Sequence, residues 1–131
     1  MKPSTIIFFL LFSPTLSFSL TTEDKGKLLY EARCVMCHGS DARATGPLAQ
    51  KSNPPTLDLT SCAYQEKLSQ CPGSIVSSII LQPNGTLIPD TLKKNGVNLP
   101  PKQWTDDDLR AINHYVLSLI HKHKCDKFPI M

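Results

Sequence analysis

The stretch Cys34-Val35-Met36-Cys37-His38 is the part of the sequence that decides the fold. It places two thiols and an imidazole close together, in the order C-x-x-C-H. A structural zinc site would need a second Cys or His pair at ligand spacing, and Cys62 and Cys71 fit that spacing poorly. A thioredoxin-like redox pair would need a βαβ setting, whereas the sequence lacks the alternating pattern of a strand.

The motif instead predicts covalent attachment of a haem group. The thiols of Cys34 and Cys37 can add to the two vinyl groups on one porphyrin edge and form thioethers. The next residue, His38, would then lie beneath the iron, where imidazole is a good axial ligand. We therefore expect one haem c, held by Cys34 and Cys37, with His38 as the proximal iron ligand.

Three helical stretches follow from capping signals and apolar periodicity. The first runs from Thr21 into Cys34, the second follows Pro72-Gly73, and the third runs from Thr105 to about His121. Both Thr residues are N-caps followed by acidic side chains in the first turn. At 100° per residue, the apolar residues of the third stretch fall on one side: Leu109, Ile112, Tyr115, Val116 and Leu119.

Two proline-rich segments separate these helices and are expected to be irregular loops. They cover residues 46–55 and 83–101. Loops this long are uncommon in a small domain unless they have a ligand to cover. We therefore predict an all-α fold, with three or more helices and long loops wrapped around one covalently attached haem.

Taken together, residues Thr22 to Leu119 resemble class I cytochromes c, in particular small bacterial periplasmic electron carriers. Gly26-x-x-x-Tyr30, followed by the C-x-x-C-H motif, is similar to the family's first helix and haem site. Tyr115 is similar to the aromatic residue of its last helix. The resemblance implies the cytochrome c fold, and it implies that Pro47 supplies the carbonyl that accepts the Nδ1–H of the haem-ligating histidine.

The resemblance also implies a methionine as the sixth iron ligand, but the sequence departs from the family here. Leu99 stands before Pro100-Pro101 at the usual methionine position, and Ile88 stands before Pro89 in a second similar context. Neither side chain can bind iron, so the distal ligand is unknown. The iron is either five-coordinate beneath these side chains or completed by lysine, histidine or water. The donors considered are Met36, Met131, Lys93, Lys94, His114, His121 and His123, of which the histidines are expected to face water.

The N-terminal segment predicts export to the periplasm. Residues 1–19 contain Lys2, an apolar run and Ser17-Phe18-Ser19, as in a cleavable signal peptide. The apolar run is too short to cross a bilayer, so we expect no membrane span after cleavage. Residues 20–121 then form the cytochrome c domain, and residues 122–131 form a C-terminal tail.

The chain has five cysteines, of which the motif uses two. An oxidising compartment favours a local disulfide between Cys62 and Cys71, with Cys125 left over. The net charge of +3 includes no basic run, which argues against nucleic-acid binding. Lysines beside the loop expected to cover the haem edge would steer acidic redox partners: Lys93, Lys94 and Lys102.

These expectations favour one function and leave two alternatives open. The favoured function is that of a mono-haem c-type cytochrome, not an enzyme, which carries single electrons between redox partners in the periplasm. The first alternative is a haem-based gas-binding or sensing protein with an open distal iron site. The second is a cytochrome subunit of a larger oxidase or reductase.

Overall fold

The computed structural model describes residues 19–81 and 87–125, and for residues 87–89 it describes the backbone alone. Within these ranges all regular secondary structure is α-helical, as the sequence predicts. In chain order the helices are α1 (Thr22–Arg33), α2 (Val35–His38), α3 (Cys62–Gln70), α4 (Ser74–Leu81), α5 (Leu87–Lys94) and α6 (Asp106–His121). No helix in the described ranges is long and apolar enough to cross a membrane.

Parts of four sequence predictions lie outside the described residues. They are residues 1–18 of the signal peptide, residues 126–131 of the tail, residues 83–86 of the loop predicted over 83–101, and the side chain of Ile88. Met131, one of the donors considered for the iron, lies in the second of these segments. The cleavage site and the domain bounds at Leu20 and His121 therefore stay predictions.

Both long helices begin with the capping signals that the sequence contains. Thr21 Oγ1 accepts the N–H of Asp24 at 3.1 Å, and Thr105 Oγ1 accepts the N–H of Asp108 at 3.1 Å. In each case the carboxylate accepts in return from the backbone N–H of the threonine, which completes a capping box. The predicted starts of the first and third helices are confirmed.

Helices α1 and α6 cross at Gly26, and this crossing builds the core. A Cβ atom at Gly26 would overlap the carbonyl oxygen of Ala111 and lie 2.8 Å from the Cβ of Tyr115. Glycine therefore allows the two backbones to approach. One turn further along α1, Tyr30 packs against Tyr115 with ring centroids 5.5 Å apart. The buried core around this crossing consists of Tyr30, Ala42, Tyr64, Leu68, Ile75, Ile112, Val116, Leu119 and Ile120.

Two helices lie outside the three helical stretches that the sequence predicts. Helix α3 is capped by Ser61, whose Oγ accepts the N–H of Tyr64 at 3.3 Å. Helix α5 occupies part of the segment predicted as a loop over 83–101, and that prediction is wrong for these eight residues. Two residues after its end the chain turns at Gly96, whose φ is +73°, and Val97 N–H bonds to Leu92 O at 2.9 Å. This is a Schellman-type ending, and it sets the direction in which the chain leaves α5.

The disulfide joins Cys62 to Cys125, so the predicted pair of Cys62 with Cys71 is wrong. Cys62 begins α3 and Cys71 follows its last residue, which places their Cα atoms about 13 Å apart at a rise of 1.5 Å per residue. A disulfide needs Cα atoms closer than about 7 Å. Cys62 and Cys125 meet this condition, with a Cα–Cα distance of 5.6 Å. Cys71 is an exposed free thiol.

Candidate functional site

The C-x-x-C-H motif lies on a single helical turn at the end of α1. Cys34 ends that helix, and its carbonyl accepts the N–H groups of Cys37 at 3.1 Å and His38 at 2.8 Å. Positions i, i+3 and i+4 share one face of a helix, so both thiols and the imidazole belong to the same side of the turn. Met36 belongs to the opposite side. Cys34 and Cys37 are both free thiols, as thioether formation requires.

The imidazole of His38 is oriented by a backbone carbonyl. Its Nδ1 lies 3.2 Å from the carbonyl oxygen of Leu57. Since a carbonyl only accepts, Nδ1 carries the proton and Nε2 keeps its lone pair for a metal. Burial lowers the pKa of His38, an effect that the bond to Leu57 partly offsets. The neutral form that can bind iron is therefore favoured at neutral pH.

The acceptor is Leu57, so the role implied for Pro47 is corrected. The Gly46-Pro47 segment instead packs against the attachment turn through backbone hydrogen bonds to Met36 and Cys37. The N–H of Gly46 bonds to Cys37 O at 3.2 Å, and that of Leu48 bonds to Met36 O at 2.8 Å. A Cβ atom at Gly46 would lie 2.5 Å from Met36 O, so glycine is needed for this close approach. The following loop then brings the Leu57 carbonyl to the imidazole.

The chain after His38 is held to the core by buried hydrogen bonds. The hydroxyl of Tyr30 donates to the carbonyl of Gly39 at 2.7 Å. Burial raises the pKa of Tyr30, so this donor keeps its proton over the physiological range. Leu59 N–H bonds to Ala42 O at 2.9 Å, which fastens the loop that contains Leu57. The ligand orientation thus depends on buried contacts of the core.

The thiol chemistry argues against the competing uses of a C-x-x-C pair. Burial raises the pKa of the Cys34 thiol to about 12, whereas reactive dithiols have lowered values. In the part of the chain that the structure describes, no three His, Cys, Asp or Glu side chains are grouped to hold a metal ion. Neither a redox dithiol nor a structural zinc site is supported.

The surroundings of the turn suit a large apolar group. Two thiols and one imidazole with a free Nε2 are the donor set that covalent haem attachment needs. Val35 of the turn and Leu59 of the following loop are partly buried apolar side chains, and Leu57 is exposed beside the imidazole. The residues present therefore fit a haem held by Cys34, Cys37 and His38.

Leu99, at the position where the family has its methionine, is half-buried and precedes two prolines. Lys93 and Lys94 are exposed at the end of α5. Lys102 is engaged within the protein, with its Nζ 2.9 Å from Asp108 and 5.3 Å from the centroid of the Trp104 ring. As predicted, the three remaining histidines are exposed: His114, His121 and His123.

Three side-chain contacts were not predicted from the sequence. Arg33 donates to the carbonyl of Pro100 at 2.8 Å, across 67 positions of the chain. Lys25 and Lys102 both pair with Asp108, each at 2.9 Å. These interactions lower the pKa of Asp108, with Lys102 the largest cause and Lys25 the second. No local motif marks such pairs, because the partners are brought together only by the fold.

Comparison with known proteins gives one match. The model of the family described as "Cytochrome c" matches residues 23–119, which begin in α1 and end in α6. No curated protein and no solved structure matches the chain. The matched range contains the attachment turn, the loop with Leu57 and the helix crossing at Gly26.

Proposed function

The chain belongs to the cytochrome c family, and from this premise we propose that it carries single electrons between redox partners in the periplasm. Family membership makes it an all-α, haem-based electron-transfer protein with covalently attached haem c. When bound, the haem supplies an iron that takes up and releases one electron. The chain's own residues hold, orient and shield that group.

The observation that carries the proposal is the attachment turn itself. Cys34 and Cys37 would hold the porphyrin through thioethers, and the Nε2 of His38 would be available to bind its iron. The Leu57 carbonyl fixes the imidazole by accepting its Nδ1–H at 3.2 Å. Such an outer-shell bond sets the tautomer and raises the basicity of the ligand. The sequence contains one C-x-x-C-H motif, which supports a single haem per chain.

Location and partners are the finer parts of the proposal. The disulfide between Cys62 and Cys125 supports an oxidising compartment, in agreement with the signal-like residues 1–19. The exposed Lys93 and Lys94 are suited to steer an acidic redox partner by long-range attraction. We assign no catalytic residue, because electron transfer needs none.

A double substitution tests the covalent attachment. The protein is exported in cells with haem-attachment machinery, and the Cys34→Ser, Cys37→Ser variant is compared with Cys71→Ser, which removes an exposed free thiol. After acid-acetone extraction, haem should stay with the wild-type and Cys71→Ser chains and leave the double variant. Retention of haem by the double variant would show that these thiols do not hold it.

The partly buried Leu99 favours a second candidate, a gas-binding protein with an open distal iron site. In the described residues, Met36 is the only methionine, and it belongs to the wrong side of the attachment turn. An open position would let carbon monoxide bind to the reduced protein and shift its absorption bands. Bands that do not change on addition of carbon monoxide would eliminate this candidate and leave the electron carrier.

A further inference from the structure

The segment between α5 and α6 is held at two separated points. We call residues 99–104 the strap; they read Leu99-Pro100-Pro101-Lys102-Gln103-Trp104 and have no regular secondary structure. The strap follows the turn at Gly96 that comes after α5, and it ends directly before Thr105, the N-cap of α6. Because it makes no helix or ladder of its own, its position depends on contacts with other elements.

The first anchor joins the strap to the haem-attachment turn. Arg33 is the last residue of α1, directly before Cys34, and its Nη2 donates to the carbonyl of Pro100 at 2.8 Å. A hydrogen bond from a charged donor is stronger than one between neutral groups. Pro100, which follows Leu99, is therefore connected through Arg33 to the turn that contains Cys34.

The second anchor joins the strap to the start of α6. Lys102 Nζ lies 2.9 Å from the carboxylate of Asp108, which is 7% exposed and also pairs with Lys25. The same Nζ lies over the Trp104 ring, 5.3 Å from its centroid. Trp104 in turn packs against the buried core. This end of the strap is held by a nearly buried carboxylate and an aromatic contact.

Between the anchors the backbone is stiff. Proline fixes φ at Pro100 and Pro101, and a following proline restricts Leu99 and Pro100 to extended conformations. A stiff segment held at position 100 and at position 102 leaves little freedom at position 99. The side chain of Leu99 is thus located by the two anchors together.

We propose that Arg33 and Lys102 are positioning residues that hold the strap, and with it Leu99, over the distal face of the haem. They keep in place a segment that is not secured by an iron–ligand bond from residue 99. The inference rests on the proposed function, because a distal face exists only if haem is attached at Cys34 and Cys37. It assigns roles to two residues that the attachment motif does not contain.

A ligating side chain at position 99 makes the position of the strap measurable. In holoprotein carrying Leu99→Met, a residue held over the iron should ligate it through Sδ. The ferric protein would then gain a methionine–iron charge-transfer band and a low-spin spectrum. A Leu99→Met protein that has covalent haem but an unchanged spectrum would overturn the inference and leave the proposed function intact. A colourless protein would instead overturn the proposed function.

The anchors are tested in the Leu99→Met background by displacement of the methionine with imidazole. Adding Arg33→Gln or Lys102→Gln should lower the imidazole concentration for half-displacement about tenfold, the factor expected from loss of one charge-assisted hydrogen bond. Arg33→Lys keeps a donor and should restore most of the resistance. Arg110→Gln removes an exposed arginine of α6 and should change nothing. Equal displacement in all four variants would show that the anchors do not position the strap.

Discussion

The attachment turn and the strap are both short segments next to the candidate haem site, but they are held by different kinds of contact. The turn depends on hydrogen bonds between neutral groups, such as Tyr30 with Gly39 and His38 with Leu57. The strap depends on charged side chains, one of which reaches its partner across 67 positions. The two segments therefore differ in the charge of the groups that hold them.

This difference has an energetic consequence. The Tyr30 hydroxyl is buried and its bond is shielded from salt, whereas Lys102 is half-buried and its ion pair is partly screened. Added salt should therefore leave the hydrogen bond of Tyr30 unchanged and weaken the ion pair of Lys102. We expect the ligand-holding turn to stay fixed under conditions that loosen the strap.

The largest expected effect on stability comes from removal of the disulfide between Cys62 and Cys125. Cys62 begins α3, which follows the segment that contains Leu57, and the disulfide closes a loop of 63 residues. Replacing Cys125 by Ser should lower the free energy of unfolding by about 4 kcal/mol, from the chain-entropy relation for a loop of this size. Urea unfolding of the holoprotein, followed by circular dichroism, measures the change.

The matched control for this experiment is Cys71→Ser, which removes a thiol that is exposed and unpaired. It should leave the unfolding midpoint unchanged. The opposite result, with Cys71→Ser destabilising and Cys125→Ser neutral, would mean that Cys62 pairs with Cys71 after all. Peptide mapping of the unreduced protein gives the connectivity directly.

The next effect concerns the helix crossing on which both regions depend. Gly26→Ala places a methyl group against Ala111 O and the Cβ of Tyr115, so α1 and α6 must separate. Overpacking of this kind costs about 3 kcal/mol. Gly73→Ala is the control, because a Cβ atom there would meet nothing within 4 Å. If the two alanine variants unfold at the same urea concentration, the close approach at Gly26 is not a stabilising feature.

The smallest expected effect on stability comes from substitution of Asp108, and it should depend on pH. Asp108→Asn removes the carboxylate that pairs with Lys25 and Lys102, and it should cost about 2 kcal/mol at pH 7. Folding lowers the pKa of Asp108, so its stabilisation is complete above the unfolded pKa and is lost as the pH falls further below about 4. The difference between wild type and variant should therefore shrink in acid.

Asp106→Asn, at an exposed position in the same helical turn, serves as the control for this pH dependence. Its effect should be a few tenths of a kcal/mol, as for a surface charge near a helix N-terminus. A stability difference for Asp108→Asn that stays constant between pH 7 and pH 3 would contradict the assigned role of the ion pairs.

The parts of the molecule that could be predicted from sequence are those specified by near neighbours. Capping boxes at Thr21 and Thr105 mark the starts of α1 and α6, and the motif at Cys34–His38 marks the attachment turn. The family resemblance includes Gly26 and Tyr115, which lie at the crossing of α1 and α6. In each of these cases the informative residues lie close together or follow the period of a helix.

The parts that could not be predicted depend on backbone atoms or on distant partners. The acceptor for His38 is a carbonyl, which every residue has, so no side chain distinguishes Leu57 from Pro47. Helix α5 contains Pro89, which a helix tolerates in its first turn but which reads as a loop signal in a proline-rich segment. Disulfide connectivity cannot be deduced from cysteine positions alone, and Cys62 paired with the more distant candidate.

The short helix α3 also has a consequence for biosynthesis. A nascent chain contains Cys62 and Cys71 long before Cys125 is added, so the near pair has the first opportunity to oxidise. That pair would require α3 to unwind, which removes Tyr64 and Leu68 from their buried positions. In a chain with the Cys62–Cys71 disulfide, Cys125 would stay a thiol that can attack this disulfide and exchange with it. Formation of α3 therefore disfavours the disulfide between Cys62 and Cys71. The disulfide between Cys62 and Cys125 is compatible with the folded helix and the packed core.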